Sequence, residues 1–384
     1  MQDNESSRSL NDSHKHPKDS LKVSNTERVL VCNAGSGSLE LQMWEGERCV
    51  DQQSLEGEAD QLFNHFASYL SDAVPCSAVL HRVVHIGRVK RNPRKVDENC
   101  QNDIKHWLPL APLHNQIALK LIEHGLNEWP DANHFVFSDS ALFNTLPDYA
   151  RSYPLPDGLS DRWPIMKYGF HGLAHQSQWN LLQKQKQHER VITIHLGGGS
   201  SLAAWQDGKV VDTTMGFTPT DGLPMTTRSG GIDPNIVLHL LERENYTLES
   251  LSKLLNREAG LAGLSGISGD YRTLKKSQNS DAYVARDAYS YALTKAIGSF
   301  IAVLGGVDAI TFGGGLGEHQ PDVRESALSR FTGMGISISK EKNKHAKGVC
   351  AIHGANSQTE IWLTPSDECE VMFNQYKTYT KENE

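Results

Sequence analysis

Apolar residues in the first half of the chain occur in short runs separated by polar turns, a pattern typical of β-strands. The runs Val29–Asn33 and Leu39–Trp44 flank a Gly/Ser turn and predict two paired strands. Ala78–His85 predicts another strand, Ala118–His124 a helix, and His134–Phe137 a strand ahead of the polar stretch SDSALFNTLPDYA. We therefore predict a mixed α/β unit in this half.

The second half begins with the same pattern. Val191–His195 predicts a strand that leads into a run of glycines. The runs Ser201–Trp205 and Lys209–Thr213 predict two more strands, and Asp207-Gly208 between them is a strong signal for a hairpin turn. The two halves therefore resemble each other in outline.

A long, largely apolar helical pattern covers Ala282–Leu304 and ends at Gly305-Gly306, because glycine readily adopts the left-handed conformation that ends a helix. Asp308–Phe312 predicts a buried strand before the sequence GGGLGEH. Since each half starts with a strand, a glycine-rich turn and a further strand, we expect two related α/β halves that face each other across a cleft.

Proline residues in Tyr153–Pro156 mark the predicted boundary between the halves. Residues 1–28 are polar, serine-rich and of mixed charge, so we expect a flexible tail that buries too little apolar surface to fold. The predicted domains are residues 29–150 together with a C-terminal helix in 370–384, and residues 151–369.

The composition of the 384-residue chain is that of a globular protein, with 22% charged and 8% aromatic residues. The net charge of −8 argues against a nucleic-acid partner, because phosphate-backbone binders need clustered basic residues. The sequence lacks a long apolar run and a secretory leader pattern, and its six cysteines are scattered. We expect a cytoplasmic protein with reduced thiols that does not bind membranes.

Three glycine-rich turns follow predicted strands, at Gly35–Ser38, Gly197–Ser201 and Gly313–Gly317. Glycine lets the backbone approach a phosphate closely, so that free N–H groups can bind its oxygens. Three such turns favour a nucleotide cleft, although three purely structural turns remain an alternative. The sequence contains neither a P-loop nor the protein-kinase motifs.

Three charged or imidazole residues lie in unusual surroundings. Arg82 interrupts the apolar run VLHRVVH, and a buried arginine needs an acidic partner or a bound anion. Arg228 lies among glycine and threonine in MTTRSGGIDP, and His171 lies in YGFHGLAH. A structural ion pair is the alternative for each arginine, and a packed or hinge histidine is the alternative for His171.

Taken in order, the motifs resemble the acetate kinase family. They run from about residue 29 to 372, and the block from Val211 to Pro234 is specific by itself. The motifs are VLVCNAGSGSLEL, LHRVVHIG, LAPLHN, FSDSALFNTLP, MKYGFHGLAHQ, ITIHLGGGSSLAAWQDGKVVDTTMGFTPTDGLPMTTRSGGIDP, GLAGLSGISGDYR, GGVDAITFGGGLGEH and LTPSDE.

This resemblance implies an α/β fold of two duplicated actin-like ATPase (ribonuclease H-like) domains around a central cleft. It also implies reversible transfer of the γ-phosphoryl group of ATP to acetate, giving ADP and acetyl phosphate. The implied cofactor is Mg²⁺, with Mn²⁺ as an alternative, and the implied assembly is a homodimer.

The resemblance further implies site residues at the matching positions. The catalytic residues would be Arg82, Asp139, His171 and Arg228, and Asn33 and Glu368 would be linked to the metal. The acyl substrate would contact Arg82, Val84, Leu113, His114, Phe170 and Pro219. The nucleotide would contact Gly197, Gly198, Gly199, Ser200, Asp270, Tyr271, Arg272, Gly314, Gly315, Leu316, Gly317 and Glu40.

Several positions depart from the pattern of the family, chiefly on the nucleotide side. Glu40 stands where the family usually has lysine, and Gly198 and His319 stand where it has asparagine. Gly231, beside Arg228, replaces an aspartate. A different phosphoryl donor such as pyrophosphate, a propionate kinase, and a non-catalytic nucleotide-binding regulator therefore remain as alternatives.

Overall fold

The computed structural model describes residues 27–35, 37–88 and 91–383, without the side chain of Leu113. The predicted tail therefore lies outside the described residues except at its end. There, the Glu27 Oε1 atom accepts a hydrogen bond of 2.8 Å from the Tyr376 hydroxyl, and Arg28 is the first residue of a strand.

The first sheet has six strands in the order β3-β2-β1-β4-β6-β5. Strands β1, β4 and β6 are parallel, while β2 and β3 continue the sheet as antiparallel neighbours of β1. The strands are β1 (Arg28–Ala34), β2 (Ser38–Glu45), β3 (Arg48–Glu56), β4 (Ala78–Val83), β5 (Arg94–Lys95) and β6 (Asn133–Ser138).

The second sheet also has six strands, in the order β11-β12-β10-β7-β8-β9. Strands β7, β10 and β12 are parallel, and β8 and β9 are the antiparallel neighbours of β7. The strands are β7 (Arg190–Leu196), β8 (Ser200–Gln206), β9 (Lys209–Thr213), β10 (Ala309–Gly313), β11 (Cys350–Ala351) and β12 (Glu360–Leu363).

Helices connect the parallel strands and cover the sheets. They are α1 (Ala59–Asp72), α2 (Glu98–Trp107), α3 (Pro112–Glu128), α4 (Asp148–Arg151), α5 (Gly172–Gln185), α6 (Pro234–Arg243), α7 (Leu248–Lys253), α8 (Gly260–Ser265), α9 (Tyr271–Lys276), α10 (Ser280–Leu304), α11 (Gly314–His319), α12 (Pro321–Leu328), α13 (Lys340–His345) and α14 (Glu368–Asn383). Short 3₁₀ turns cover Leu108–Leu110, Ala141–Thr145 and Ser329–Met334, and a π-helical turn covers Leu254–Glu258.

The two sheets share one plan, an antiparallel trio followed by parallel strands, so the predicted duplication of the fold is confirmed. The first strand of each trio is central and almost fully buried, which explains why its sequence is a continuous apolar run. The predicted helix 282–304 is α10, and Gly305 ends it in the left-handed conformation.

The C-terminal helix α14 packs on the first sheet. Its Phe373 ring stacks on Trp44 of β2 with a centroid distance of 4.2 Å, and Met372 and Tyr376 lie in the same apolar cluster as Val29 and Val31. This packing supports the assignment of the C-terminal helix to the first domain. The exact boundaries at 150 and 369 stay a prediction.

Two local expectations differ from the structure. Strand β3 did not emerge from the sequence, because RCVDQQSLE is a largely exposed edge strand without an apolar face. The segment Gly313–Gly317 is not a turn, since Gly313 ends β10 and the rest begins α11. At Gly314 φ is +75°, and an added Cβ would lie 2.6 Å from the Leu196 carbonyl oxygen, so this junction requires glycine.

Across the described part of the chain, no helix has the length and apolar character needed to cross a lipid bilayer.

Candidate active site

The ends of parallel strands from both sheets meet at one cavity of about 470 Å³. Asn33 and Arg82 lie near the carboxyl ends of β1 and β4, and His195 lies near the end of β7. Glu368 is the first residue of α14, which follows β12. In open α/β sheets ligands bind beyond these strand ends, so the fold itself identifies this cavity as the candidate site.

Arg82 is the centre of a polar network at this cavity. Its Nη2 and Nε atoms donate to Asp139 Oδ2 at 2.7 and 3.1 Å. Its Nη1 atom donates to Asn33 Oδ1 at 3.1 Å and lies 3.2 Å from Glu368 Oε2. Asn33 Nδ2 also donates to Glu368 Oε2, at 3.0 Å. The guanidinium is therefore held in one orientation by three residues from different elements.

Asp139 is the innermost residue of this network, because its side chain is completely buried. Burial raises the pKa of Asp139 and the adjacent Arg82 guanidinium opposes that rise, so the ion pair compensates the buried charge. The Asp139 carbonyl oxygen also accepts from Gly172 N at 3.1 Å, and a Cβ at residue 172 would lie only 2.1 Å from that oxygen. Glycine after His171 is thus required for this close approach.

His171 has a strained backbone, with φ of 60° and ψ of 29°, immediately before α5. For a residue other than glycine this left-handed conformation costs on the order of 1–3 kcal/mol and is concentrated at functional sites. Its Nδ1 atom lies 2.9 Å from the Ser201 hydroxyl. The ring lies 4.8 Å from the His195 ring, and an added Cβ at Gly199 would be 2.9 Å from His171 Nε2. The Nε2 atom therefore faces the second glycine-rich turn.

Arg228 differs from Arg82, because no carboxylate of the described residues lies within ion-pairing distance of it. Its Nη1 atom donates to the Pro219 carbonyl oxygen at 3.1 Å. Burial lowers the pKa of Arg228, although an arginine side chain stays charged in proteins. A largely buried cation without an acidic partner is the group expected to bind an anionic substrate.

The histidines at the cavity are held neutral. Burial lowers the pKa of His114 to about 3, with Arg228 and Arg82 contributing, and lowers the pKa of His195 to about 4. The pKa of His171 lies well below its usual value, chiefly through burial. These imidazoles can therefore donate or accept hydrogen bonds near neutral pH without adding positive charge.

A second cavity of about 590 Å³ adjoins the first, and Gly198, Thr226, Thr227 and Gly315 line both. This second cavity is large enough for a nucleotide. Its lining includes Gly197, Ser200, Asp270, Tyr271, Arg272, Leu316 and His319.

Most residues expected to contact a nucleotide thus line one of the two cavities, with Gly199, Gly314 and Glu40 in the first. Gly317 lines neither, and its carbonyl oxygen instead accepts from the buried Arg324 at 2.6 Å. At Gly198 an added Cβ would have no atom within 4 Å, so the backbone there leaves room for a side chain to begin.

Glu40 pairs with Asn33 across β1 and β2 and lines the first cavity. Its Oε1 atom accepts from Gln42 Nε2 at 3.0 Å and from Gln52 Nε2 at 2.9 Å. Two neutral amides thus hold the carboxylate in place, and the described part of the chain supplies no ion-pair partner for it. A negative charge at this point disfavours phosphate nearby unless a cation intervenes.

Only some of the residues expected to form the acyl pocket line a cavity. Val84 and Phe170 are buried in an apolar cluster with Ala111, Met215 and other residues. A third cavity of about 530 Å³ is lined by Ala111, His114, Pro219 and Arg228, among others. The apolar cluster therefore reaches this cavity at Ala111. Leu113 lies in α3, and its side chain is outside the described residues.

Asn33 and Glu368 fit a magnesium ion that is bound mainly by phosphate and water. Mg²⁺ commonly uses one or two protein carboxylates together with phosphate oxygens. Glu368 provides one carboxylate at the cavity, and among described residues no cluster of three or more His, Cys, Asp or Glu side chains forms a protein cage for a metal. This donor set matches a substrate-linked ion.

Sequence reasoning missed several residues of the site. The Ser201 hydroxyl lies within hydrogen-bond distance of His171, and the His195 ring packs against the His171 ring. The nucleotide-sized cavity is also lined by Glu56 and Tyr289. His195 could have been found from its position at the end of a buried strand, directly before glycines. Glu56 and Tyr289 come from distant elements and left no signal in the local pattern.

The chain matches known proteins over most of its length. The sequence profile of the acetokinase family matches residues 47–375. The acetate kinase of Thermoanaerobacterium thermosaccharolyticum is 38% identical over 383 residues, which cover 89% of this chain and 96% of that protein.

Solved structures of acyl kinases are similar to this chain over most of its length. The acetate kinase of Entamoeba histolytica superposes with a TM-score of 0.82 at 28% identity, covering 92% of this chain and 99% of that one. A propionate kinase of Francisella tularensis gives a TM-score of 0.81 at 27% identity, covering 91% and 98%.

Proposed function

The chain belongs to the acetokinase family, and from this premise we propose that it reversibly transfers the γ-phosphoryl group of ATP to acetate, giving acetyl phosphate and ADP. The observation that supports this most is the cavity that brings Arg82, Arg228 and His171 together at the strand ends of both sheets. These are the groups that a reaction between two anions requires.

The geometry suits the chemistry of phosphoryl transfer. A carboxylate oxygen of acetate forms a bond to the γ-phosphorus, the bond to the β–γ bridging oxygen breaks, and ADP leaves with that electron pair. The loose transition state needs positioning and positive charge around its equatorial oxygens more than covalent help from the protein.

Each cavity residue has a role in this proposal. Arg228, which has no acidic partner among the described residues, binds the acetate carboxylate and the moving phosphoryl group. Arg82 is balanced by Asp139 and Glu368, so it contributes a fixed array of N–H donors more than net charge. His171 donates from Nε2 to a phosphoryl oxygen, and Asp139 positions Arg82.

We propose that Asn33 and Glu368 hold a Mg²⁺ ion through its water or phosphate ligands. The ion would neutralise phosphate charge when bound. Asn33 Oδ1 already accepts from Arg82, and Glu368 Oε2 accepts from Asn33 and lies close to Arg82, so Glu368 Oε1 is the oxygen of the pair that the network leaves open.

The nucleotide-sized cavity favours ATP as donor over pyrophosphate, because pyrophosphate would leave the volume beside Asp270 and Tyr271 unfilled. For the acceptor we propose acetate, with propionate as a poorer substrate, since one extra methylene changes selectivity by only about 1–3 kcal/mol.

We also propose a homodimer in the cytoplasm. Helix α6 exposes Ile236 and Leu238, and Ile232 and Leu248 nearby are exposed too, an apolar surface that a second copy would cover. All six cysteines are free thiols, as expected in a reducing compartment.

The test is a hydroxamate assay of the purified chain with ATP, GTP or pyrophosphate as donor and acetate or propionate as acceptor. The proposal predicts acetate hydroxamate with ATP and Mg²⁺, and a lower kcat/KM with propionate. Product with pyrophosphate alone would establish the altered-donor alternative. ATP binding without any hydroxamate would establish the alternative of a non-catalytic nucleotide-binding regulator.

A further inference from the structure

Four buried side chains behind His171 form a continuous chain of hydrogen bonds that leads away from the cavity. Ser201, His175, Thr193 and Trp205 come from β8, α5, β7 and β8, and all are at most 1% exposed. The family resemblance assigned none of them a role. Their donors and acceptors determine which ring nitrogen of His171 carries the proton.

The direction of donation along these hydrogen bonds is set at Trp205, the end farthest from the cavity. The Trp205 indole N–H can only donate, and it lies 2.9 Å from Thr193 Oγ1, so this oxygen accepts. The single Thr193 hydroxyl proton then has two acceptors within reach, His175 Nδ1 at 2.8 Å and the Ala203 carbonyl oxygen at 3.5 Å. If His175 Nδ1 donated instead, Thr193 Oγ1 would accept two hydrogen bonds and its proton would be left with only the 3.5 Å contact, which is long for a hydrogen bond, so the arrangement in which His175 Nδ1 accepts is favoured.

The same logic carries the direction outward. Burial, with a contribution from His195, keeps the pKa of His175 low and its ring neutral. A neutral His175 that accepts at Nδ1 carries its proton at Nε2, and this atom lies 2.8 Å from Ser201 Oγ. Ser201 therefore accepts from His175 and has its own proton free for His171 Nδ1, 2.9 Å away.

The outcome is a defined proton position at the cavity. His171 accepts at Nδ1, so its neutral ring carries the proton at Nε2. This atom lies beside Gly199 in the glycine-rich turn and makes no hydrogen bond to a described residue. An N–H donor is thus directed at the place where the phosphoryl oxygens would lie.

We propose that Thr193, His175 and Ser201, anchored by Trp205, are positioning residues that fix His171 as its Nε2–H tautomer for donation to the transferring phosphoryl group. The direction of donation rests on the proposed function, but the tautomer does not. The opposite tautomer would present a lone pair to an anionic phosphoryl oxygen and would repel it. This relay of hydrogen bonds, from Trp205 through Thr193, His175 and Ser201, also holds the His171 ring in one orientation.

The first test measures the tautomer in the wild-type protein. In ¹⁵N-histidine-labelled enzyme without substrates, long-range ¹H–¹⁵N spectra distinguish the two neutral forms of each imidazole. The set of signals that disappears in His171→Gln belongs to His171. We expect a protonated Nε2 and an unprotonated Nδ1 for His171. A proton on Nδ1 would overturn the proposal, whatever reaction the enzyme catalyses.

The second test uses Thr193→Val, which keeps the shape but removes the hydroxyl, with Thr193→Ser as the matched control that keeps it. We expect the valine variant to lower kcat by about tenfold, below the hundredfold or more that loss of a direct donor costs. The KM values for ATP and acetate should change by less than about twofold, and serine should restore kcat. A folded Thr193→Val enzyme with wild-type kcat would contradict the relay.

Ser201→Ala is the second variant in case Thr193→Val does not fold. It removes the last link directly, so its kcat should fall at least as far as that of Thr193→Val, and its His171 signal should show a mixture of tautomers. An unchanged His171 spectrum in this variant would also contradict the relay. Absence of acyl phosphate in the wild type would instead refute the proposed function and leave the tautomer result standing.

Discussion

Arg82 and Asp139 are joined by two hydrogen bonds, from Nη2 and Nε to the same carboxylate oxygen, at 2.7 and 3.1 Å. Asp139 is fully buried and Arg82 reaches the cavity surface, so the pair connects the core of the first domain to the cavity. The fold therefore sets the position of the Arg82 donors before any substrate binds.

Replacing Arg82 by lysine or alanine should nearly abolish turnover. Lysine supplies a charge but cannot contact Asp139, Asn33 and the substrates at once through a planar fork. We expect kcat to fall by about 10³-fold or more, the scale known for catalytic arginines in phosphoryl transfer. Steady-state kinetics with acetate and ATP measure this.

Arg91→Ala is the control, because Arg91 forms an exposed ion pair with Glu382 at 2.7 Å. Arg82→Ala should also lower stability by about 3–5 kcal/mol, since it leaves a buried carboxylate unpaired. Asp139→Asn added to Arg82→Ala should recover stability without recovering activity. Recovery of both would show that the pair is structural only.

Glu40→Lys should strengthen ATP binding. The substitution changes the local charge by two units, and because each unit at about 4 Å contributes about 1 kcal/mol in bulk water, we expect about 2 kcal/mol, roughly a thirtyfold change in KM. Glu47→Lys, in the same hairpin but away from the cavities, is the control. An unchanged KM for ATP in Glu40→Lys would mean that residue 40 does not face the phosphates in the bound state.

Val84→Ala should shift acceptor preference toward propionate. Val84 packs in the apolar cluster with Phe170, and removing two methyl groups makes room for one methylene. We expect the propionate-to-acetate ratio of kcat/KM to rise by up to about tenfold.

Val83→Ala is the matched control, since Val83 is equally buried but packs with Ile86 and Ile104 in a different cluster. It should lower stability and leave the ratio unchanged. A similar ratio change in both variants would place the acyl group outside the predicted pocket.

The strands and the duplicated plan could be predicted because buried parallel strands leave continuous apolar runs such as VITIH. The polar edge strand β3 could not, because its neighbour β2 and not its own sequence makes it a strand. The hydrogen bonds from Trp205 to His171 were likewise invisible, since they join residues from three elements through tertiary packing.

Acid should destabilise the fold through its buried histidines. Burial lowers the pKa of His85 from the usual 6.5 to about 3, so below pH 6.5 the unfolded chain binds a proton that the folded chain does not. His85 alone should therefore cost about 1.4 kcal/mol of stability per pH unit from 6.5 down to about 3.

Urea unfolding of the wild type, His85→Phe and, as control, the exposed His239→Gln at pH 7, 6 and 5 measures this slope. The phenylalanine variant should lose less stability on acidification than the wild type. Identical slopes in wild type and His85→Phe would contradict a neutral His85 in the folded state.

The most direct measurement of the central claim is ³¹P NMR of the purified enzyme incubated with ATP, Mg²⁺ and acetate, beside Arg228→Ala. We predict an acetyl phosphate signal that grows together with that of ADP and is nearly absent in Arg228→Ala. ATP that stays intact with acetate while the protein is folded and binds nucleotide would contradict the account.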